Sequence, residues 1–111
     1  DQRGCPTYAD DLAGVLGFLV TSGRRGIFHG TNAGDCTWYG FAREVARALG
    51  ADPQRIRSCG SDAYPTAAAR PACSVLRSRR LEEVGCPARP DWRDAVARYV
   101  DLLESGRARH P

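Results

Sequence analysis

The strongest constraint on the fold is the spacing of the apolar residues, which follows the period of an α-helix in four segments. Helices are predicted from Thr7 to Gly23, Thr37 to Gly50, Ser78 to Val84 and Asp91 to Gly106. Strand-like runs are limited to residues 26–30 and 56–58. Strands this short do not form an independent sheet. We therefore predict a mainly α segment with about four helices and two or three short strands.

Residues that can cap a helix start precede at least three of these segments, and one of them is Ser78, before the third helix. Thr7 stands before the first helix with an acid three residues later, and Thr37 is the expected N-cap of the second helix. Trp38 and Trp92 open the second and last helices on their apolar sides. We expect both indoles to lie in the core.

Length and composition limit the chain to one domain. Its 111 residues carry a formal net charge of +3 and are 42% hydrophobic, which is enough for one compact core. Because the sequence contains no Met, we expect a piece of a longer chain. All 16 basic residues are Arg, so chemistry that depends on Lys, such as a Schiff base or a phosphate-binding loop, is excluded.

The pattern of charge, hydropathy and cysteine also restricts partners and location. The only basic pairs are Arg24–Arg25 and Arg79–Arg80, which argues against nucleic-acid binding. No run of 18 apolar residues predicts a membrane span. The five cysteines are odd in number and form no C-x-x-C pair, so we expect reduced thiols in a cytoplasmic protein.

Residue chemistry alone predicts no catalytic, cofactor-binding or metal-binding residue. His29 and His110 lack the spacing of a metal site, and a nucleophilic pair of His29 with Cys36 would be accidental. The turn at 30–34 lies between a predicted strand and a helix, but it lacks the G-x-G-x-x-G spacing and a following Lys. A plain turn is favoured over a phosphate cradle.

Several short sequence segments, taken together in a fixed order, indicate a protein family more specifically than any one of them does. They are residues 1–13, 26–44, 64–66, 70–76 and 92–95. In that order the chain resembles the C-terminal third of dTDP-4-dehydrorhamnose reductases, which are extended short-chain dehydrogenases. It departs from the family pattern at Gly40, where a Glu is usual, and at Ala67, where Pro is frequent.

The resemblance implies an α/β, Rossmann-type parent enzyme that uses NADPH or NADH. Residues 1–106 would be its substrate-binding C-terminal domain, and residues 107–111 a frayed tail. The dinucleotide-binding domain and the catalytic residues would lie upstream, so they are absent from this chain. The implied partners are a dTDP-sugar, the missing dinucleotide-binding domain and, through uncovered apolar surface, a second copy of the chain.

The resemblance also suggests four substrate-binding residues. Arg70, in an Arg-Pro phrase, would meet the diphosphate of the sugar nucleotide, although a solvated surface Arg remains an alternative. Tyr64 would stack on the thymine or the sugar, or else pack within its loop. Thr7 would shape the first loop, although a helix cap is the stronger interpretation, and Arg3 would add positive charge.

Two functions follow from this resemblance. The leading one is the substrate-binding portion of an NADPH-dependent dTDP-4-dehydrorhamnose reductase, inactive by itself. The alternative is a non-catalytic regulatory or binding subunit of the same fold.

Overall fold

The computed structural model describes residues 1–63 and 65–107. Its elements, in chain order, are β1 (Arg3–Gly4), α1 (Ala9–Ser22), β2 (Cys36–Thr37), α2 (Trp38–Ala48), α3 (Arg79–Glu83) and α4 (Trp92–Arg107). Single 3₁₀ turns occur at Pro53–Arg55 and Ser61–Ala63. The prediction of a mainly α segment with four helices and short strands is confirmed for the described residues.

The strands lie at positions that the sequence did not indicate. β1 and β2 pair antiparallel, with Arg3 opposite Thr37 and Gly4 opposite Cys36. The predicted strand at 26–30 is instead a loop, and the carbonyl of Ile27 accepts a hydrogen bond from Arg80 Nη1 at 3.0 Å. A side chain thus satisfies a backbone group that a strand would have paired with a neighbour.

The second predicted strand, at 56–58, is also a loop. The N–H of Ile56 donates to the carbonyl of Pro53 at 3.2 Å, which closes the preceding 3₁₀ turn. Apolar character at Ile56 was therefore a poor indicator of a strand, because the local turn uses its backbone donor.

The core lies between α2 and α4. Trp92, Val96 and Val100 of α4 are buried, and Phe41 and Val45 of α2 pack against them. The prediction that Trp92 lies in the core is confirmed, since it is 2% exposed. The same prediction for Trp38 is wrong, because that side chain is 65% exposed.

The predicted caps have different outcomes. Ser78 occupies the N-cap position of α3, but its side chain makes no capping hydrogen bond. Thr37 caps α2 as predicted, with its Oγ1 accepting from the N–H of Gly40 at 3.0 Å. Thr7 does not cap α1, because its hydroxyl donates to the carbonyl of Cys5 and the N-cap position belongs to Tyr8. The hydrogen bond that holds this helix start comes from further along the chain and is described below.

α1 is the least buried of the long helices. Val15 is its buried residue, while Leu12, Leu16 and Val20 are exposed. The helix ends at Gly23, as predicted, in the left-handed conformation that glycine adopts readily (φ 63°). No helix of the described residues is both long and apolar enough to cross a membrane.

α4 continues one residue beyond Gly106, where an end was predicted, and includes Arg107. The rest of the predicted tail, residues 108–111, lies outside the described residues.

Candidate functional site

β1 lies at the centre of a small three-segment arrangement that positions the Arg-Pro loop. On the side away from β2, the N–H of Arg3 donates to the carbonyl of Ala72 at 2.9 Å, and the N–H of Ser74 donates to the carbonyl of Arg3 at 2.8 Å. Cys73 forms a parallel bridge with Arg3. These bonds place the neighbouring Arg70 beside β1.

Two neighbouring cavities open around β1, and together they are called the groove below. The first, of about 470 Å³, is lined by the β1 loop, the start of α2 and the Arg-Pro phrase, including Arg3, Cys5, Thr7, Phe41, Pro71 and Ser74. The second, of about 420 Å³, is lined by residues that include Asp1, Cys59, Ser61 and Thr66. Gln2, Trp38 and Arg70 line both cavities. The two cavities therefore adjoin at these three residues, which we call the waist of the groove.

Arg70 is the exposed cation of the waist. Its side chain makes no ion pair within residues 1–63 and 65–107, and Pro71 directly follows it. Proline restricts the backbone of the residue before it, so the loop carries its guanidinium on a stiff support. Five N–H donors are thus available to an anion in the groove.

The other predicted site residues divide into two groups. Arg3 and Thr7 line the first cavity together with Arg70, so the structure brings these three residues together. Arg3 is paired with Asp35 through both Nε and Nη2, and the Thr7 hydroxyl donates to the carbonyl of Cys5 at 3.0 Å. Tyr64, the fourth predicted residue, lies outside the described residues.

Trp38 is the groove residue that sequence reasoning missed. Its backbone N–H donates to the carbonyl of Gln2 at 3.2 Å, and its indole meets the ring of Phe41 edge-on, with centroids 6.1 Å apart. A mostly exposed indole in a concave surface is unusual enough to indicate contact with a ligand or a partner.

The thiols and imidazole near the groove are not arranged for nucleophilic catalysis. Burial raises the pKa of the Cys36 thiol, which makes it a poorer nucleophile at neutral pH. The Cys5 sulfur is engaged by the backbone of Leu76, and His29 Nδ1 lies 3.4 Å from the carbonyl of Arg77. The described residues hold no cluster of His, Cys, Asp and Glu that could bind a metal ion. The five cysteines form no disulfide with one another in the structure.

The turn at 30–34 packs closely against the start of α4. Ala33 donates its N–H to the carbonyl of Pro90, and its own carbonyl accepts from Trp92. A Cβ built on Gly34 would lie 2.9 Å from Asp91 Oδ2 and 3.0 Å from Trp92 Cδ1. Glycine at this position therefore permits the close approach of α4.

Asn32 is a second residue that the sequence analysis missed, and it holds the β1 loop in place. Asn32 is 3% exposed, and its Oδ1 accepts from the N–H of Tyr8 at 2.8 Å. Its amide nitrogen donates to Asp11 Oδ2 at 2.6 Å and to the carbonyl of Pro90 at 3.1 Å. Asn32 thus ties the end of the β1 loop to α1 and to the segment before α4.

The groove and its surroundings define a ligand-binding domain, with a cation and an aromatic face at the waist and no acid–base pair among the described residues. Comparison with known proteins gives the family. A family model described as RmlD substrate binding domain matches residues 1–105. The chain belongs to this family.

Curated relatives carry the names of sugar-nucleotide reductases. The dTDP-4-dehydrorhamnose reductase of Mycolicibacterium smegmatis is 45% identical over 96% of this chain and 34% of its own length. A probable dTDP-4,6-dihydroxy-2-methyloxan-3-one 4-ketoreductase of Streptomyces antibioticus is 43% identical over 100% of this chain and 37% of its own length. The chain therefore spans about a third of the length of these relatives.

Solved structures show the same fold. A dTDP-4-dehydrorhamnose reductase from Clostridium acetobutylicum matches with a TM-score of 0.85 and 38% identity, over 94% of this chain and 37% of that one. The enzyme from Bacillus anthracis, solved in complex with NADP, matches with a TM-score of 0.82 and 27% identity, over 93% of this chain and 36% of that one. The mainly helical segment is thus a part of a Rossmann-type reductase fold, as expected.

Proposed function

We propose that this chain is the substrate-binding portion of an NADPH-dependent dTDP-4-dehydrorhamnose reductase. The whole enzyme would reduce the 4-keto group of dTDP-4-dehydro-L-rhamnose and give dTDP-L-rhamnose. The observation that carries the proposal is Arg70 between two cavities of about 470 and 420 Å³, which give room for a ligand on either side of its guanidinium. The names of the relatives and the NADP in one solved structure support it.

Arg70 would bind the diphosphate. A planar guanidinium matches two phosphate oxygens at once, and a charge-assisted pair of this kind is stronger than a neutral hydrogen bond. Arg3 keeps its pair with Asp35 in this proposal, so it contributes less positive charge than Arg70. Thr7 shapes the first cavity and offers the lone pairs of its hydroxyl, and Tyr64 stays a proposed stacking residue of the same loop as Arg70.

The cofactor and the catalytic groups would belong to another part of the protein. Residues 1–106 would form the substrate-binding domain, and the turn at 30–34 lacks the G-x-G-x-x-G spacing of a dinucleotide-binding loop. The exposed apolar face of α1, formed by Leu12, Leu16 and Val20, would contact the dinucleotide-binding domain. When that domain is absent, the same face would favour self-association. The complete enzyme would act in the cytoplasm.

The identity of the hexose is the most specific part of the proposal. A relative from Streptomyces niveus, 41% identical over 95% of this chain, is named dTDP-4-keto-6-deoxy-D-glucose reductase. The names of these three relatives share a dTDP carrier and differ in the sugar. Recognition of the carrier by this chain is therefore the part that a binding experiment addresses first.

The central experiment compares two exposed arginines. dTDP-L-rhamnose is titrated into the 111-residue chain by calorimetry, with Arg70→Ala as the variant and Arg57→Ala as the control. Arg57 is exposed and is not among the described residues that line the groove. We expect Arg70→Ala to weaken binding about tenfold or more, which corresponds to about 1.4 kcal/mol, and Arg57→Ala to leave it unchanged. Equal effects of the two substitutions would contradict the assignment of Arg70.

The same preparation separates substrate binding from catalysis. NADPH absorbance is followed with the chain and dTDP-4-dehydrorhamnose, and no oxidation above a buffer blank is expected. Turnover by the chain alone would show that the division between two domains is wrong. The sequence encoded before Asp1 distinguishes the enzyme from a non-catalytic subunit: a glycine fingerprint and a Tyr-x-x-x-Lys motif support the enzyme.

A further inference from the structure

The position of Trp38 gives the waist of the groove a second binding role, in addition to the binding of an anion by Arg70. Trp38 lines both cavities together with Arg70, and its indole is 65% exposed. An indole buries a large apolar area when a flat ligand covers it, and it loses few degrees of freedom in doing so. The waist therefore offers an aromatic face next to a cation.

The indole is held in place before any ligand arrives. Thr37 caps the helix that Trp38 begins, and the backbone N–H of Trp38 donates to Gln2. Behind it, Phe41 contacts Trp38 edge-on and also lies 6.0 Å, centroid to centroid, from the buried Trp92. The aromatic face is thus connected to the core, so a ligand that stacks on it does not have to order it first.

We infer that Trp38 is the stacking platform for the pyrimidine base of the nucleotide, with the edge of the base directed to the second cavity. The inference rests on the proposed function, because only a nucleotide carrier brings a base next to the diphosphate at Arg70. The second cavity is lined by Gln2, Ser61 and Thr66. The Ser61 and Thr66 hydroxyls already donate to Asp1 and to the carbonyl of Ala68, so they offer oxygen lone pairs. Gln2 donates one N–H to Ser61 and keeps its second N–H and its carbonyl oxygen. These groups suit the alternating N–H and carbonyl groups of a pyrimidine edge. The first cavity is left for the hexose.

The test uses ligands that each lack one part of a nucleotide sugar. dTDP contains the base and the diphosphate without the hexose, and inorganic pyrophosphate contains neither base nor hexose. Both are titrated by calorimetry into the 111-residue chain and into Trp38→Leu, Trp38→Phe and Arg70→Ala. Leu49→Ala is the matched control, since Leu49 is an exposed apolar residue at the opposite end of the same helix.

A stacking platform predicts a distinct pattern. Trp38→Leu should weaken dTDP by about fivefold or more, the loss expected for one stacked base, and should leave pyrophosphate unchanged. Trp38→Phe should restore part of the affinity for dTDP, whereas Arg70→Ala should weaken both ligands. Leu49→Ala should change neither.

A measurement on the unsubstituted chain gives the same information without a variant. Acrylamide quenches exposed indoles, so it should report on Trp38 rather than on the buried Trp92. Saturating dTDP should protect the emission from acrylamide, and pyrophosphate should not.

The inference is overturned if dTDP binds and Trp38→Leu leaves its affinity unchanged, or if Trp38→Leu weakens pyrophosphate as much as dTDP. Protection that requires dTDP-L-rhamnose and is absent with dTDP would assign the indole to the hexose and would also overturn it. If neither dTDP nor dTDP-L-rhamnose binds the unsubstituted chain, the proposed function fails together with the inference. The two failures are thereby distinguishable.

Discussion

The starts of α2 and α4 carry the same sequence feature and have opposite environments. Each helix begins with a Trp, yet Trp92 is 2% exposed and Trp38 is 65% exposed. Phe41 lies between them and contacts both rings. One aromatic row thus runs from the core to the groove. The same position at the start of a helix therefore does not determine burial, which depends on the residues that pack against the side chain.

The largest expected effect separates the two indoles by stability. Trp92→Ala removes a buried side chain between α2 and α4 and should lower the free energy of unfolding by about 3–5 kcal/mol. Trp38→Ala removes an exposed side chain and should cost less than about 1 kcal/mol. Urea unfolding followed by circular dichroism measures both. Similar losses for the two variants would show that the starts of α2 and α4 are equally important for the core.

Local signals in the sequence predicted the four helices and the cap at Thr37, although the cap predicted at Thr7 was wrong. Thr37 was identifiable as a cap because its side chain bonds a backbone N–H only three residues away. The strands were not identifiable, since two-residue strands have no periodicity and depend on partners far along the chain, as Arg3 depends on Thr37 and Cys73. The environment of Trp38 likewise depends on a neighbour that helical periodicity does not describe.

The candidate site likewise divides into residues that the sequence identified and residues that it did not. Arg70 was identified through the resemblance of its Arg-Pro phrase to a known family, and the structure then placed it in a groove with Arg3 and Thr7. Asn32 gave no signal, because a buried amide is recognised only from partners at Tyr8 and Pro90, 24 and 58 residues away. Non-local hydrogen bonds account for most of what the sequence concealed.

The next largest effect concerns Asn32, which connects the β1 loop of the groove to α1 and to the segment before α4. Asn32→Ala leaves the N–H of Tyr8 without its acceptor in a buried place, which should lower the free energy of unfolding by about 1–3 kcal/mol. Gln54→Ala is the control, because this amide is exposed and should change stability by less than about 0.5 kcal/mol. Urea unfolding of both variants is the measurement. If Asn32→Ala changes the free energy of unfolding as little as Gln54→Ala does, the β1 loop does not depend on the hydrogen bonds of Asn32.

The smallest expected effect is a pH dependence at the same connection. The hydrogen bond from Arg98 Nη2 to Asp11 Oδ2, 2.6 Å long, lowers the pKa of Asp11 below its usual 3.8, and the amide of Asn32 contributes to the shift while partial burial opposes it. A carboxyl whose pKa is lower in the folded state stabilises the fold above the unfolded pKa, because the unfolded chain then binds more protons as the pH falls. The contribution should be complete at pH 6 and should diminish as the pH falls below about 3.8 through the folded pKa.

Asp11→Asn tests this directly. The variant should unfold at a lower urea concentration than the unsubstituted chain at pH 6, by less than Asn32→Ala does, and the difference should shrink at pH 3. Asp10→Asn is the control, since Asp10 is an exposed acid on the same helical turn and should show no such convergence. A difference for Asp11→Asn that is the same at both pH values would mean that the substitution acts through lost packing rather than through the charge. The link from α4 through Arg98 to α1 would then depend on packing rather than on charge.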